Sequence, residues 1–390
     1  MPNLSSASLR ASFQGAGLRG RLVGGLCLFF LLAGGAWLFY WIFFLAARES
    51  TDDAYVSGNQ ARISAQVTGT VKEIFADNTQ AVRSGQILVR LDDTDARLAL
   101  SRARASLADT VRRTRGLMLE SERLSAIADQ RLREYDKAWS DYARRREHRT
   151  AMSVSEEELS HARDNAAIAQ SALRAARLAL EANHALLGEG PLREQPQVLL
   201  AADRVREAWL ALKRCEIASP VDGFVARRSA QVGLRVTPGQ PLMAVIPLAG
   251  IWVDANFKEV QLSRMRIGQP AVIRTDFYGG SVLYQGTVAG FTAGTGSSFS
   301  LLPPENATGN WIKVIQRVPV KIALNPDEVA QNPLLLGLSC LVSVDVSDAR
   351  GRMLAPATET PALYATDVLT LDPASVNAEI EEIIRANSAW

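Results

Sequence analysis

The stretch AQVTGTVKEIFADNTQAVRSGQILVRL (residues 65–91) decides the fold, because it returns as SPVDGFVARRSAQVGLRVTPGQPLMAV (residues 219–245) with identical spacing. Val67, Gly69, Val71, Val82, Gly85 and Leu88 in the first copy answer Val221, Gly223, Val225, Val236, Gly239 and Leu242 in the second. Each copy reads as alternating apolar residues with a turn glycine (Gly69, Gly223), a Ser-Gly or Pro-Gly turn (Gly85, Gly239) and a final apolar strand. Such a half-sheet cannot bury its apolar face alone, so the two copies are expected to pack together across the long segment between them.

The paired halves resemble those of a lipoyl or biotinyl carrier domain, which are normally joined by a hairpin bearing a modified lysine. The six lysines are Lys72, Lys137, Lys213, Lys258, Lys313 and Lys321, and none sits in a Met-Lys-Met or Asp-Lys-Ala turn. No cofactor is expected. A lipoyl-like domain split by a helical insertion is instead a mark of periplasmic membrane fusion proteins.

That insertion opens with Asp92, Asp93, Thr94 and Asp95, which read as helix-capping groups rather than as a metal or acid-base site. A heptad then runs through Leu100, Leu107, Thr114, Ser121, Ala128, Tyr135 and Tyr142, with Arg131 the one poor seam residue among the positions between. A second runs through Leu159, Ala166, Leu173, Leu180 and Leu187. Gly188, Gly190, Pro191 and Pro196 interrupt it, and the pattern resumes at Val198, Ala201, Val205, Ala208, Leu212 and Cys215 as a stutter. With a turn near Ala151, facing residues have numbers adding to about 301, as in Ala128 with Leu173 and Ser121 with Leu180. Most of these layers set a large side chain against a small one, which favours an antiparallel hairpin over a parallel dimer. Arms of this length project roughly 80 Å. Arg144, Arg145 and Arg146 stand level with Glu156, Glu157 and Glu158 below the tip, as exposed pairs of small energetic weight.

From Leu22 to Ala47 no residue is charged, and a helix of that run is roughly 39 Å long, enough to cross a bilayer. Arg10, Arg19 and Arg21 precede it without an acid, so the N-terminal stub is expected to be cytoplasmic and the bulk of the chain across the membrane. The run is too long for a cleaved signal peptide. From Trp252 to Val346 short alternating strands and turns predict a small β-barrel. Within it, Ser298 to Arg317 reads as a long loop with Phe299, Leu301, Leu302 and Trp311 as candidate contacts to a transporter or substrate.

Other chemistry is not apparent. A formal net charge of +2 over 390 residues argues against nucleic acid as a partner. His148, His161 and His184 lack metal-ligand spacing, and no nucleophile signature or phosphate loop is present, so no catalytic or metal residue is assigned and no enzyme is expected. Cys27, Cys215 and Cys340 have no paired spacing and read as small apolar side chains.

The words Thr51-Asp-Asp-Ala-Tyr-Val56, Gln66 to Leu91, Ala208-Trp-Leu-Ala-Leu212, Trp252-Val-Asp-Ala-Asn-Phe-Lys-Glu259, Met265-Arg-Ile-Gly-Gln-Pro270 and Leu301 to Arg317 carry a closer resemblance. Through them the chain resembles the EmrA-like branch of the HlyD family of membrane fusion proteins, over nearly all of Thr51 to Val346. The resemblance implies a mainly α + β, multi-domain chain and a role as periplasmic adaptor of a tripartite efflux pump. It implies an inner-membrane, EmrB-like major-facilitator exporter and a TolC-like outer-membrane channel as partners, with self-assembly into a homo-oligomer such as a hexamer. The expected order is a cytoplasmic stub (1–21), a single transmembrane helix (22–47) and a first lipoyl-like half-motif (51–92). A coiled-coil hairpin (93–215), the second half-motif (216–247), a β-barrel (248–346) and a C-terminal tail (347–390) follow. Related tips that dock such channels carry Arg, then Leu, then Ser; here the positions are Arg144, His148 and Ser155, and the leucine is missing. An adaptor of an ABC-type secretion system and a membrane-tethered coiled-coil scaffold are the alternatives.

Overall fold

A computed structural model describes residues 18–40, 47–148, 154–299, 315–355, 362 and 364–388. The chain divides into two compact units, one of residues 1–61 with 246–365 and the other of 62–245 with 366–390.

The first unit contains helix α1 (Leu18–Tyr40), which starts four residues before the run 22–47 expected to span the membrane and covers it as far as Tyr40. Its described side chains, such as Phe29, Leu31 and Trp37, are exposed. Residues 41–46 lie outside the described residues, and among the described residues no helix is long and apolar enough to cross a membrane.

The rest of this unit is a closed six-stranded antiparallel barrel. Its strands are β1 (Arg48–Ser57), β10 (Trp252–Lys258), β13 (Arg317–Leu324), β12 (Tyr284–Phe291), β11 (Pro270–Thr275) and β14 (Ser339–Asp345), in that order around the barrel. Buried and exposed residues alternate along β10, β11 and β12, as a half-buried strand requires. Val253, Ala255, Phe257, Ile273, Tyr284, Ile322 and Val342 fill the interior. Gly286 is dictated by this packing, since a Cβ there would lie 2.7 Å from the Ala323 carbonyl oxygen. The buried Tyr284 hydroxyl donates at 3.0 Å to the carbonyl of Asn332, which caps the short helix α5 (Pro326–Gln331), and burial pushes the Tyr284 pKa up to about 12.

The barrel corrects one boundary. Residues 51–57, assigned from sequence to the first half-motif, belong to β1, which pairs with β10 on one side and β14 on the other. Without β1 those two strands would be open edges, and closure removes both.

The second unit begins with the two half-motifs. One sheet has the order β2 (Ala61–Ser64), β9 (Pro241–Ile246), β7 (Gly223–Arg228), β4 (Ala81–Val82). The other runs β6 (Glu216–Ala218), β5 (Ile87–Leu91), β3 (Gly69–Ile74), β8 (Arg235–Val236). Each sheet takes two strands from each half, so neither half has a sheet of its own. The hydrogen bonds repeat accordingly. Gly85 N–H donates to Ser219 O at 2.8 Å, and Gly239 N–H donates to Ala65 O at 2.9 Å. Thr79 N–H to Val225 O and Gly233 N–H to Val71 O, both 2.8 Å, form a second matched pair.

From this body rises α2 (Thr94–His148), 55 residues long and therefore about 80 Å. Its start is capped as expected: Asp92 Oδ1 accepts from the Thr94 hydroxyl at 2.7 Å and from the Thr94 N–H at 3.1 Å. These bonds, the hydroxyl's foremost, hold the Asp92 carboxyl below the usual carboxylate range. The return arm is α3 (Glu156–His184) and then α4 (Pro196–Lys213). Antiparallel register is fixed by Asn183 Nδ2 donating to Leu117 O at 3.1 Å and by the 2.9 Å contact of Ser121 Oγ with His184 Nε2. Ala128 and Leu173 are both buried, whereas Arg131 is exposed and paired with Glu134 at 2.7 Å.

The stutter is a true break. Between α3 and α4 the buried Gln195 side chain accepts from Gly188 N–H at 2.7 Å and donates to the carbonyls of Gly188 and Gly190, each at 2.9 Å. It satisfies backbone groups that the broken helix leaves without partners.

A second correction concerns the C-terminus, where the expected tail ends in a docked helix. Helix α6 (Ala374–Ser388) buries Val376, Ile380 and Ile384 in one cluster with Leu107 and Val111 of α2 and Val198 and Val205 of α4. Arg104 of α2 bonds Glu379 at 2.8 Å and Arg206 of α4 bonds Asn377 at 2.8 Å.

Candidate functional site

The hairpin tip is the first candidate. Arg144 is exposed and pairs within its own helix, with Asp141 at 3.2 Å, and Arg145 reaches the same carboxylate at 3.1 Å. The expected matching of three arginines with three glutamates across the tip is reduced to one contact, from Arg145 Nη1 to the Glu158 carbonyl at 3.3 Å. Glu158 is engaged elsewhere. Ser155 is the N-cap of α3: its Oγ accepts from Glu158 N–H at 3.1 Å, and Glu158 Oε2 accepts from Ser155 N–H at 3.0 Å. This reciprocal capping box holds the Glu158 carboxyl below its ordinary pKa, chiefly through the Ser155 backbone N–H. His148 is the last residue of α2; its side chain and residues 149–153 lie outside the described residues.

Just below the tip, Trp139, which the sequence reading did not single out, joins two tyrosines of the heptad. Along α2, Tyr135 stacks on Trp139 with ring centroids 6.2 Å apart, Trp139 meets Tyr142 at a tilt with centroids 5.6 Å apart, and Trp139 is 49% exposed. The i, i+4, i+7 spacing of three aromatics was the available signal. Tyr135 and Tyr142 are half-buried, so Trp139 is the exposed member, and it offers apolar area at low entropic cost, which suits a protein contact.

The barrel rim is the second candidate. Phe299 ends a short 3-10 turn with its side chain outside the described residues, and Leu301, Leu302 and Trp311 lie outside them altogether. What is described is the base from which that loop returns. A bulge in β1 between Thr51 and Ala54 takes Asp52 and Asp53 out of register with β14. The Asp53 carboxylate accepts from Arg317 Nη1 of β13 at 2.8 Å and from Asn256 Nδ2 of β10 at 3.2 Å. Thr51 Oγ1 donates to Asn256 O at 2.9 Å, and Gln261 donates to Glu49 Oε2 at 2.9 Å. Nearby, the Lys321 ammonium stands 3.8 Å over the Trp252 ring, whose Nε1–H donates to Asp254. The network joins three of the sequence words above, which lie far apart in the chain.

The four turn glycines divide. Gly85 and Gly239 have φ of 80° and 85°, the left-handed region that favours glycine. Gly69 and Gly223 open strands β3 and β7 and are not left-handed; at Gly69 the constraint is space, a Cβ lying 3.3 Å from Leu91. Among the described residues no group of three His, Cys, Asp or Glu side chains could hold a metal ion. The three cysteines are free, and burial pushes the Cys340 thiol up to about 11.

The family model for the EmrA alpha-helical hairpin domain matches residues 94–215. The chain is 47% identical over 349 residues to the multidrug export protein EmrA of Escherichia coli K12, covering 90% of each. It is 45% identical to EmrA of Haemophilus influenzae, covering 93% of this chain and 94% of that one. To the fatty acid resistance protein FarA of Neisseria gonorrhoeae it is 46% identical over 86% of this chain and 84% of the relative. A solved structure of the periplasmic adaptor protein EmrA aligns at a TM-score of 0.40 with 17% identity, over 77% of this chain and 98% of that one. With relatives this similar over nearly its whole length, the chain belongs to the EmrA family of multidrug export proteins.

Proposed function

We propose that this chain is the periplasmic adaptor of a tripartite efflux pump. The apolar run 22–47 anchors it once in the inner membrane, with residues 1–21 cytoplasmic and the body periplasmic. The barrel and half-motif body work beside an EmrB-like major-facilitator exporter, and the hairpin reaches toward a TolC-like outer-membrane channel. Several copies, six in the arrangement implied by the family resemblance, enclose the path. The observation that carries this reading is the 55-residue helix α2 closed into an antiparallel hairpin, a rigid projection with exposed polar and aromatic groups toward its tip.

The tip group (Arg144, His148, Ser155, and with them Trp139) contacts the channel. The loop carrying Phe299, Leu301, Leu302 and Trp311 contacts the exporter or its substrate, with Asp53, Asn256 and Arg317 as its footing. Purification of the full chain in mild detergent from its native membrane tests the proposal. A co-purifying major-facilitator exporter, together with drug sensitivity on deletion of the gene, is the expected result. Co-purification of an ABC transporter, or of no transporter with export unchanged, would contradict it.

A further inference from the structure

The C-terminal segment leading into α6 does more than follow the barrel strands. Thr366 Oγ1 donates to Pro220 O at 2.8 Å, and Leu371 packs against the α2, α4 and α6 cluster. Pinned at both ends, residues 366–371 form one wall of a cleft of about 150 Å³. Ile63 and Ile217, both buried, line it with Val368 and Leu369. Three cations from two elements line the same cleft: Arg62 of β2, and Lys213 and Arg214 at the end of α4. None of the three forms an ion pair among the described residues. The one carboxylate in the lining, Glu216, is 3.4 Å from Arg90.

The carbonyl end of α4 accounts for basic residues at 213 and 214. It does not account for Arg62, which comes from a strand, or for an apolar wall facing them. We infer that this cleft binds a small amphipathic monocarboxylate, its head group on the cations and an aromatic ring or short alkyl chain on Ile63, Ile217 and Leu369. A space of about 150 Å³ admits a benzene-sized ring. Charge-assisted bonds to guanidinium or ammonium fix the carboxylate end, and the apolar lining supplies the rest. The site goes beyond the adaptor role, because binding here needs no partner and no transport.

The test is isothermal titration calorimetry of the full chain in detergent with benzoate, benzamide and inorganic phosphate. Benzoate is expected to bind saturably at one site per chain, with benzamide at least tenfold weaker and phosphate without saturable binding. Arg62→Gln and Arg214→Gln should each weaken benzoate at least fivefold while leaving the melting curve in place. Should either variant fail to fold, Leu369→Trp decides, since it fills the cleft without touching a charge and should abolish benzoate binding. Equal binding of benzoate and benzamide, absence of saturable benzoate binding, or unchanged affinity in a folded Arg214→Gln or Leu369→Trp variant would overturn the assignment. The readout is binding to the isolated chain, so failure here leaves the adaptor reading standing, and failure of that reading leaves this site standing.

Discussion

Arg317 reaches Asp53 across an intervening strand. The two residues sit on β13 and β1, with β10 between them, and meet at 2.8 Å while Asn256 of β10 closes the other carboxylate oxygen at 3.2 Å. Both side chains are partly exposed, at 40% and 30%, so the pair contributes about 1 kcal/mol rather than the larger value of a buried one. Its weight is positional: it ties the strand that follows the apolar run to the strand that receives the long loop.

Arg317→Ala and Asp53→Ala should therefore each lower barrel stability by about 1 kcal/mol, and the double variant should lose less than their sum. Chemical denaturation of the four proteins reads this directly. Strict additivity would mean the two groups do not act as a pair.

Thr79 and Gly233 occupy the same place in the two half-motifs, yet only one is glycine. Thr79 has φ of 70° and Gly233 of 85°, so a β-branched residue stands in the left-handed region in the first half. Thr79→Gly should stabilise by about 1 kcal/mol, and Gly233→Thr should destabilise by about 1 to 3 kcal/mol. Melting curves that place Thr79→Gly below the parent would show that the threonine side chain makes up for its backbone.

At the tip, Ser155 carries two roles that substitution can separate. Ser155→Ala removes the cap of α3 and should cost about 1 kcal/mol, whereas Ser155→Asp keeps an acceptor for the Glu158 N–H and should retain most of that stability. If export fails in both variants, the hydroxyl itself meets a partner; if it fails only in the alanine variant, the cap is the whole requirement. The pH dependence has a definite sign. The folded Glu158 carboxyl lies below its ordinary value of 4.5, so its contribution is fully present above that value. It is lost as pH falls through the lower folded value, and hydrogen exchange at the start of α3 should accelerate there and not near neutrality.

How much of this was legible in the sequence depended on whether a pattern was local. The duplicated half-motifs, the capping role of Asp92 and the antiparallel hairpin were readable because each rests on spacing within one segment or on register between two heptads. The barrel's first strand was not, since residues 48–53 are all polar or charged and carry no apolar alternation, and only ring closure between β10 and β14 assigns them. Helix α6 carries a readable stripe in Val376, Ile380 and Ile384, but what that stripe packs against is not local to the C-terminal segment. The Asp53, Asn256 and Arg317 network needed three-dimensional proximity, although its residues already stood inside the quoted words. Gly69 and Gly223 read as turn glycines, yet neither is left-handed, and at Gly69 the constraint is the Leu91 side chain; a glycine beside a strand signals either a turn or close packing, and sequence does not separate them.

The docked helix gives a further test. Ile380 is 2% exposed against α2 and α4, and Ile380→Ala should cost about 2 to 4 kcal/mol and expose the 366–388 segment to protease. A variant cleaved no faster than the parent would show that α6 does not hold the C-terminus in place.

The central claim is that the hairpin joins an exporter to an outer-membrane channel. A photoreactive amino acid placed in living cells at Arg146, near the tip, and separately at Leu98, near the base, measures this most directly. The account predicts that the tip position crosslinks an outer-membrane channel protein and the base position does not. Crosslinking of the channel from the base alone, or only self-crosslinks from the tip in cells that export normally, would contradict it.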